Sequence, residues 1–253
     1  MVAFLSGINT LGLNNHHLYL GEAMAEVIVN DYMPKIWNDL VDAFGNEIGV
    51  AGLMGNLYAE SGCTPYACQP SRPYDVCMTY INNVNNHAIS ENQFVYGGCS
   101  SAGGYTSTQL GFGLAQWTFY SRKQGFYDYV FDHSSNIGNL QDQIDYVIKE
   151  ITDNSDWYNA VTQATDLDTV SDYLMLNFEN PQDKSIEAKK VRRSYSSDIY
   201  DEYNGTVPVE PVNPQPPSTD YSPIPREPIL LKKSMPLWMM IKNKRNYAQE
   251  QDR

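Results

Sequence analysis

The stretch Glu47–Gly62, EIGVAGLMGNLYAESG, constrains the fold of this 253-residue chain more than any other. Its apolar residues recur at helical spacing: Val50, Leu53 and Leu57 lie along one stripe, and Glu60 falls on the same stripe. Ala51, Gly55 and Ala59 form an adjacent stripe of small residues, suited to close packing against a second helix. Gly62, followed by Pro65, supplies a stop. The segment therefore delivers one carboxylate at the end of a mostly apolar helical face. Partial desolvation there disfavours the charged form, which is the property a general acid needs to protonate a leaving oxygen near neutral pH. A solvated or capping residue is the alternative reading of Glu60 taken by itself.

Other parts of the chain carry the same period. Gly21–Phe44 reads as one or two helices, with Pro34 marking a break or a fresh start. Leu140, Ile144, Val147 and Ile151 share a helical face, as do Val170, Tyr173, Leu174 and Phe178 before Pro181. Ile186, Val191, Tyr195, Ile199 and Tyr203 give a last helix. Strand signals are weak and no repeat is present, so the body is expected to be mainly α. Residues 63–109, rich in Asn, Ser, Gly, Tyr and Cys, are expected to be a long irregular insertion, functional or pinned by cross-links. The proline-rich stretch Gly205–Pro228 reads as an extended linker, and Ile229–Arg253 beyond it as a short tail.

Charge divides along the same line. The chain carries 17 Lys and Arg against 30 Asp and Glu, a net of −13. Residues 1–225 hold 10 of the basic and 27 of the acidic groups, giving −17, which leaves +4 on residues 226–253. That acidity argues against nucleic-acid binding, which rests on basic residues neutralising phosphates. No apolar run is long enough to span a bilayer. Val2–Leu5 is too short for the apolar core of a secretory signal, and no Lys or Arg precedes Lys35. The expectation is export by another route, or that this chain is a fragment of a longer one.

Cys63, Cys68, Cys77 and Cys99 all fall inside the expected insertion. An even number in a loop-rich stretch reads as two disulfides in an oxidising setting. Zinc is the rival reading, although the spacing lacks close C-x2-C pairs. Free thiols are the third.

The second informative segment is Gly111-Phe112-Gly113-Leu114-Ala115-Gln116-Trp117-Thr118. Its two glycines permit a tight bend or a close backbone approach to a ligand. Gln116 offers donors and an acceptor, and Trp117 a flat apolar face, tools for holding a sugar ring. No Lys-Ser/Thr follows the glycines, which removes the phosphate-loop reading. A tight turn with Trp117 in the core is the alternative.

Together, GVAGLMGNLYAESG and the later GFGLAQWT-x-x-SRKQ resemble the phage tail lysozyme family, part of the lysozyme-like superfamily of peptidoglycan-cleaving domains. The resemblance continues through Ile137–Tyr146, through Phe178–Ser185 and into Arg192–Tyr203, and so covers roughly residues 30–204. It implies a mainly α, lysozyme-like domain there, carrying the Cys-containing insertion, between an N-terminal extension (1–29) and the linker and tail. It also implies Glu60 as catalytic acid, with Ser61, Gly113, Gln116 and Trp117 beside the substrate. The family's G-Y-G-L-A-Q-W appears here with Phe112 in place of tyrosine.

Glycoside hydrolysis generally uses two carboxylates. Asp75, Glu91, Asp128 and Glu179 are candidates for the second, Glu179 also reading as a helix-end structural residue. Relatives with a single carboxylate release a 1,6-anhydro sugar instead, so hydrolase and lytic transglycosylase both stay open. A non-catalytic wall-binding or tail-tip module with the same fold is a further alternative. A Cys/His amidase pairing Cys77 with His87 is another, although His16, His17, His87 and His133 show no motif spacing. No cofactor and no metal are implied. The expected partner is peptidoglycan, met outside the cell or on a virion. The basic tail or a delivery assembly such as a phage tail would hold the acidic body at an anionic wall.

Overall fold

The computed structural model describes residues 26–69, 72–97 and 111–205. Most of the proline-rich stretch, the basic tail, Cys99, His16 and His17 lie outside them. Among the described residues the chain is helical, and its only β pairing is two isolated bridges, Cys68 with Phe112 and Phe112 with Trp117.

The helices are α1 (Met33–Phe44), α2 (Glu47–Ser61), α3 (Tyr74–Asn85), α4 (Tyr120–Asp132), α5 (Leu140–Asp153), α6 (Ser155–Thr162), α7 (Leu167–Leu174) and α8 (Ile186–Tyr203). Two π-helical turns, Gln93–Gly97 and Met175–Glu179, complete the set. Pro34 starts α1 afresh, at a position where its missing N–H costs nothing.

The centre of the molecule is α2, buried from Gly49 to Ala59 and packed against α1, α6, α7 and α8. Glycine makes that possible. A Cβ on Gly49 would stand 1.9 Å from the Val161 carbonyl oxygen of α6, and one on Gly55 would stand 2.1 Å from Ser196 Oγ of α8. Both positions let a neighbouring backbone come closer than any side chain would allow. The helix is fixed at each end. Asn46 accepts from Gly49 N–H at 3.0 Å and donates to the Thr162 and Ala164 carbonyls, tying the start of α2 to the end of α6. Gly62 closes the other end at φ 65°, its N–H donating to Tyr58 O at 2.8 Å. Ahead of α1, Val27 N–H donates to Asp198, Ile28 N–H to Tyr58 Oη and Asn30 to the Gly62 carbonyl.

Two sequence expectations need correction. The insertion is not structureless: it contains α3, whose Cys77, Tyr80, Ile81 and Val84 are buried at helical spacing. The polar residues between them, Thr79, Asn82 and Asn83, and Asn85 after them, have low helix propensity and obscured the period, and packing against the core overrides them. Phe94, in the π-helical turn, joins the same core and lies near the rings of Tyr80, Phe112 and Tyr127.

The expected disulfides are the second correction. Cys63, Cys68 and Cys77 are free, buried thiols that act as small apolar residues. Cys63 donates weakly to the Met54 carbonyl, and burial pushes its thiol well up. Cys77 faces the Arg72 carbonyl, and the Cys68 and Cys77 thiols are hydrogen-bonded to each other.

The insertion leaves and rejoins the body at one place. Gln69 N–H donates to Gly111 O and Gly113 N–H to Ala67 O, both at 2.9 Å, so its two ends are held side by side.

Candidate active site

Glu60 stands in the last turn of α2, with a side chain 20% exposed. Its carboxylate pairs at 2.5 Å with Nη2 of Arg192, a buried arginine from the first half of α8. The α2 and α8 backbones pack closely through Gly55 and Ser196, which brings the two side chains together.

Beside this pair lies Glu179, closing the π-helical turn that extends α7. Asn180 takes the left-handed conformation (φ 46°) and its N–H returns to Met175 O at 2.9 Å. Glu179 as a residue is partly covered, but its Oε1 is sealed from solvent and has no hydrogen-bond partner among the described groups. Desolvation and the charge of Glu60 raise the Glu179 pKa well above the ordinary carboxyl range, against the opposing pull of Arg122 and Arg192.

Arg122, from the first turns of α4, is the second cation. It grips Glu150 of α5 with two bonds, Nε to Oε1 at 2.7 Å and Nη2 to Oε2 at 2.8 Å. A third bond runs from Nη1 to the Phe178 carbonyl, and the guanidinium lies 4.6 Å from the Phe178 ring centroid. Burial works against its charge, but bonding to Glu150 and the charge of Glu150 more than offset this, so its pKa is raised. Trp117 completes the chain of contacts by donating Nε1–H to Glu150 Oε2 at 2.8 Å. The cluster thus holds two guanidinium groups and three carboxyls. With Glu179 protonated, its charges cancel.

The residues expected beside the substrate hold the site's frame. Trp117 is wholly buried and stacked on Phe126 at 4.3 Å, so its ring presents no face to solvent. This corrects the reading of Trp117 as a sugar platform: the indole fills the core and its N–H orients Glu150. Gln116, at φ 44°, folds inward and donates to the Ala67 and Gly113 carbonyls. Gly113, at φ 73°, makes room for Gln143, whose amide oxygen would lie 2.7 Å from a Cβ there. Ser61 is buried and donates to Leu57 O.

Other candidates are dispersed. Asp75 stands exposed in the first turn of α3, where its charge acts on Cys77. Glu91 and Asp128 are exposed and both accept from Gln124. Cys77 is buried, whereas His87 is exposed with its ring against Phe131, so no thiol–imidazole pair forms there.

Sequence reasoning missed Arg122, Glu150, Arg192 and Gln143 as a set. Gln143 is fully buried, accepts from Leu114 N–H and donates to the Pro65 and Ile137 carbonyls, joining three loops. The available signal was position: Arg122 follows the Trp117 motif by one turn, and Gln143 and Glu150 flank the apolar face of α5.

A family model for phage tail lysozyme matches residues 31–203, which span the described helices α1 to α8, from Met33 to Tyr203. The chain belongs to the phage tail lysozyme family. Its mainly helical, lysozyme-like fold agrees with that membership, which implies a peptidoglycan-degrading glycosidase acting outside the cell or from a virion. A comparison with curated proteins gives no match. Among the described residues no helix of this family member is long and apolar enough to cross a membrane.

Proposed function

We propose that this chain cuts the glycan strand of peptidoglycan with Glu60 as general acid and Glu179 as the second carboxyl behind it. The observation that carries the reading is the ion pair of Glu60 with the buried Arg192 at the end of α2, beside the buried Glu179. Glu60 is the more accessible member, 20% exposed against 10% for Glu150, while Glu179 Oε1 is sealed. Substrate therefore meets Glu60. In the resting cluster Glu60 is the carboxylate paired with Arg192, and Glu179, kept protonated by burial and by the charge of Glu60, holds the proton. That proton passes through Glu60 to the glycosidic oxygen as the C–O bond breaks, and Arg192 faces the Glu60 carboxylate that remains. Water then adds to the sugar cation, its oxygen joining the anomeric carbon and its released proton returning to the carboxyl pair.

A second reading has its own support. Glu179 keeps its proton and has one oxygen sealed from solvent, which suits it to supplying a proton rather than to activating water on the far face of the sugar, the usual task of a second carboxylate. Capture of the cation by the sugar's own hydroxyl, giving a 1,6-anhydro product, needs no such group. Mass spectrometry of fragments released from purified peptidoglycan separates the two, reducing ends marking hydrolysis and anhydro ends the lytic route. Replacing Glu60 by Gln keeps the shape and removes the acid. Clearing of peptidoglycan should fall by about 100-fold or more. Clearing at the parent rate would leave a non-catalytic wall-binding or tail-tip module as the function. Attachment to a phage tail or a comparable assembly would bring this acidic body to the wall.

A further inference from the structure

Exposed apolar residues are common on any protein surface. Among the described residues, three exposed aromatic side chains form a cluster. Tyr96, Phe119 and Tyr120 are 47%, 55% and 50% exposed, and their rings touch. Tyr96 stacks on Tyr120 at 5.8 Å with a 30° interplanar angle, and Phe119 meets Tyr120 at 4.7 Å. A contiguous aromatic patch of this kind marks a surface that is covered in use.

Its surroundings indicate what covers it. Phe119 and Tyr120 lie between Trp117 and Arg122, and both of those are bonded to Glu150. The short segment bearing the rings is therefore pinned at each end to the charge cluster that contains Glu179. From Tyr120 the same face of α4 continues through Gln124 to Asp128 at four-residue intervals. Gln124 donates to Asp128 and to Glu91, the latter from the segment that also carries Tyr96. Flat rings thus pass directly into a row of planar amide and carboxylate groups. Rings stack on the C–H faces of sugars, and planar polar groups bond their hydroxyls. The two carboxylates disfavour an anionic ligand.

We propose that Tyr96, Phe119 and Tyr120, with Gln124, Glu91 and Asp128 at their rim, form a binding platform for uncharged sugar rings of the glycan strand, on the segment that Trp117 and Arg122 tie to Glu150. The choice of ligand rests on the glycan-cleaving reading above. The test uses the full chain carrying Glu60→Gln, so that binding is measured without cleavage, and insoluble chitin, an uncharged polymer of β-1,4-linked N-acetylglucosamine, as the probe. In a co-sedimentation titration, Tyr96→Ala/Tyr120→Ala and Phe119→Ala should each weaken binding by about 10-fold. Tyr120→Phe and Phe119→Trp should bind as the parent does, because stacking needs only a flat ring.

Equal binding by the alanine variants would overturn the proposal. So would Tyr120→Phe failing as alanine does with an unchanged melting temperature, or a parent that sediments with intact wall but not with chitin. Ring-dependent capture of a protein partner in place of glycan would also overturn it. The same substitutions with Glu60 intact keep the two readings separate. Cleavage with an unaltered KM in the alanine variants rejects the platform and leaves the activity. Ring-dependent glycan binding without cleavage supports the platform and rejects the activity.

Discussion

Replacing Glu179 by Gln should make the protein more stable and less active. In the folded chain, burial and the neighbouring Glu60 charge hold the Glu179 proton well above the ordinary carboxyl range. The unfolded chain ionises the same group near pH 4.3, the ordinary value for a glutamate. Between those limits the native state binds the extra proton, so stability must fall as pH rises. The loss approaches about 1.4 kcal/mol per pH unit and stops once the folded group itself ionises. Glutamine has the shape of the protonated acid and no charge to desolvate, so it escapes the loss. Parent and variant should therefore melt together near pH 4, and the variant should melt progressively higher as pH is raised toward neutrality. Differential scanning calorimetry of both proteins from pH 4 to 8 measures the divergence. Glycan cleavage by the variant should drop over the same range, most at the alkaline end, because the proton behind Glu60 is gone. Parallel melting curves would refute the reasoning, since Glu179 would then ionise at the same pH folded and unfolded. A variant that is more stable but fully active would leave Glu179 protonated and idle.

Other outcomes follow from the packing and the thiols. Gly55→Ala forces a methyl to 2.1 Å from Ser196 Oγ and should cost about 1–3 kcal/mol by overpacking, read as a lowered midpoint in urea. A thiol reagent should modify Cys63, Cys68 and Cys77 only after denaturation and without prior reduction, which intact-mass measurement counts directly. Removing residues 226–253, with their net +4, should weaken adsorption to whole wall at low salt and flatten its salt dependence. Unchanged adsorption would reject a holding role for the tail.

The sequence carried the helical body and the position of Glu60 because both rest on local pattern. Val50, Leu53 and Leu57 state a period, Gly62 ends it, and Glu60 lies where the period places it. The charge cluster was not legible for the opposite reason. Arg122, Glu150, Glu179 and Arg192 come from four separate segments, and a charge on a helix reads as a solvated face until tertiary packing encloses it. Trp117 was visible as important, but its destination was not: burial against Phe126 decides that it orients Glu150 rather than facing sugar. The helix α3 and the free thiols show the same limit, since polar residues diluted one pattern and cysteines counted as cross-links were apolar filling.

The paired amides at Ala67, Gln69, Gly111 and Gly113 return the insertion to its point of departure. A segment anchored in this way behaves as a cassette. It can lengthen or shorten between its anchors without shifting α2 or the Trp117 turn, as closing a longer loop adds little entropy cost. The inward face, which includes Cys77, Tyr80, Ile81, Val84, Ile89 and Phe94, must be kept, because it belongs to the common core. A lineage could in this way refit the surroundings of the charge cluster while inheriting the cluster itself unchanged.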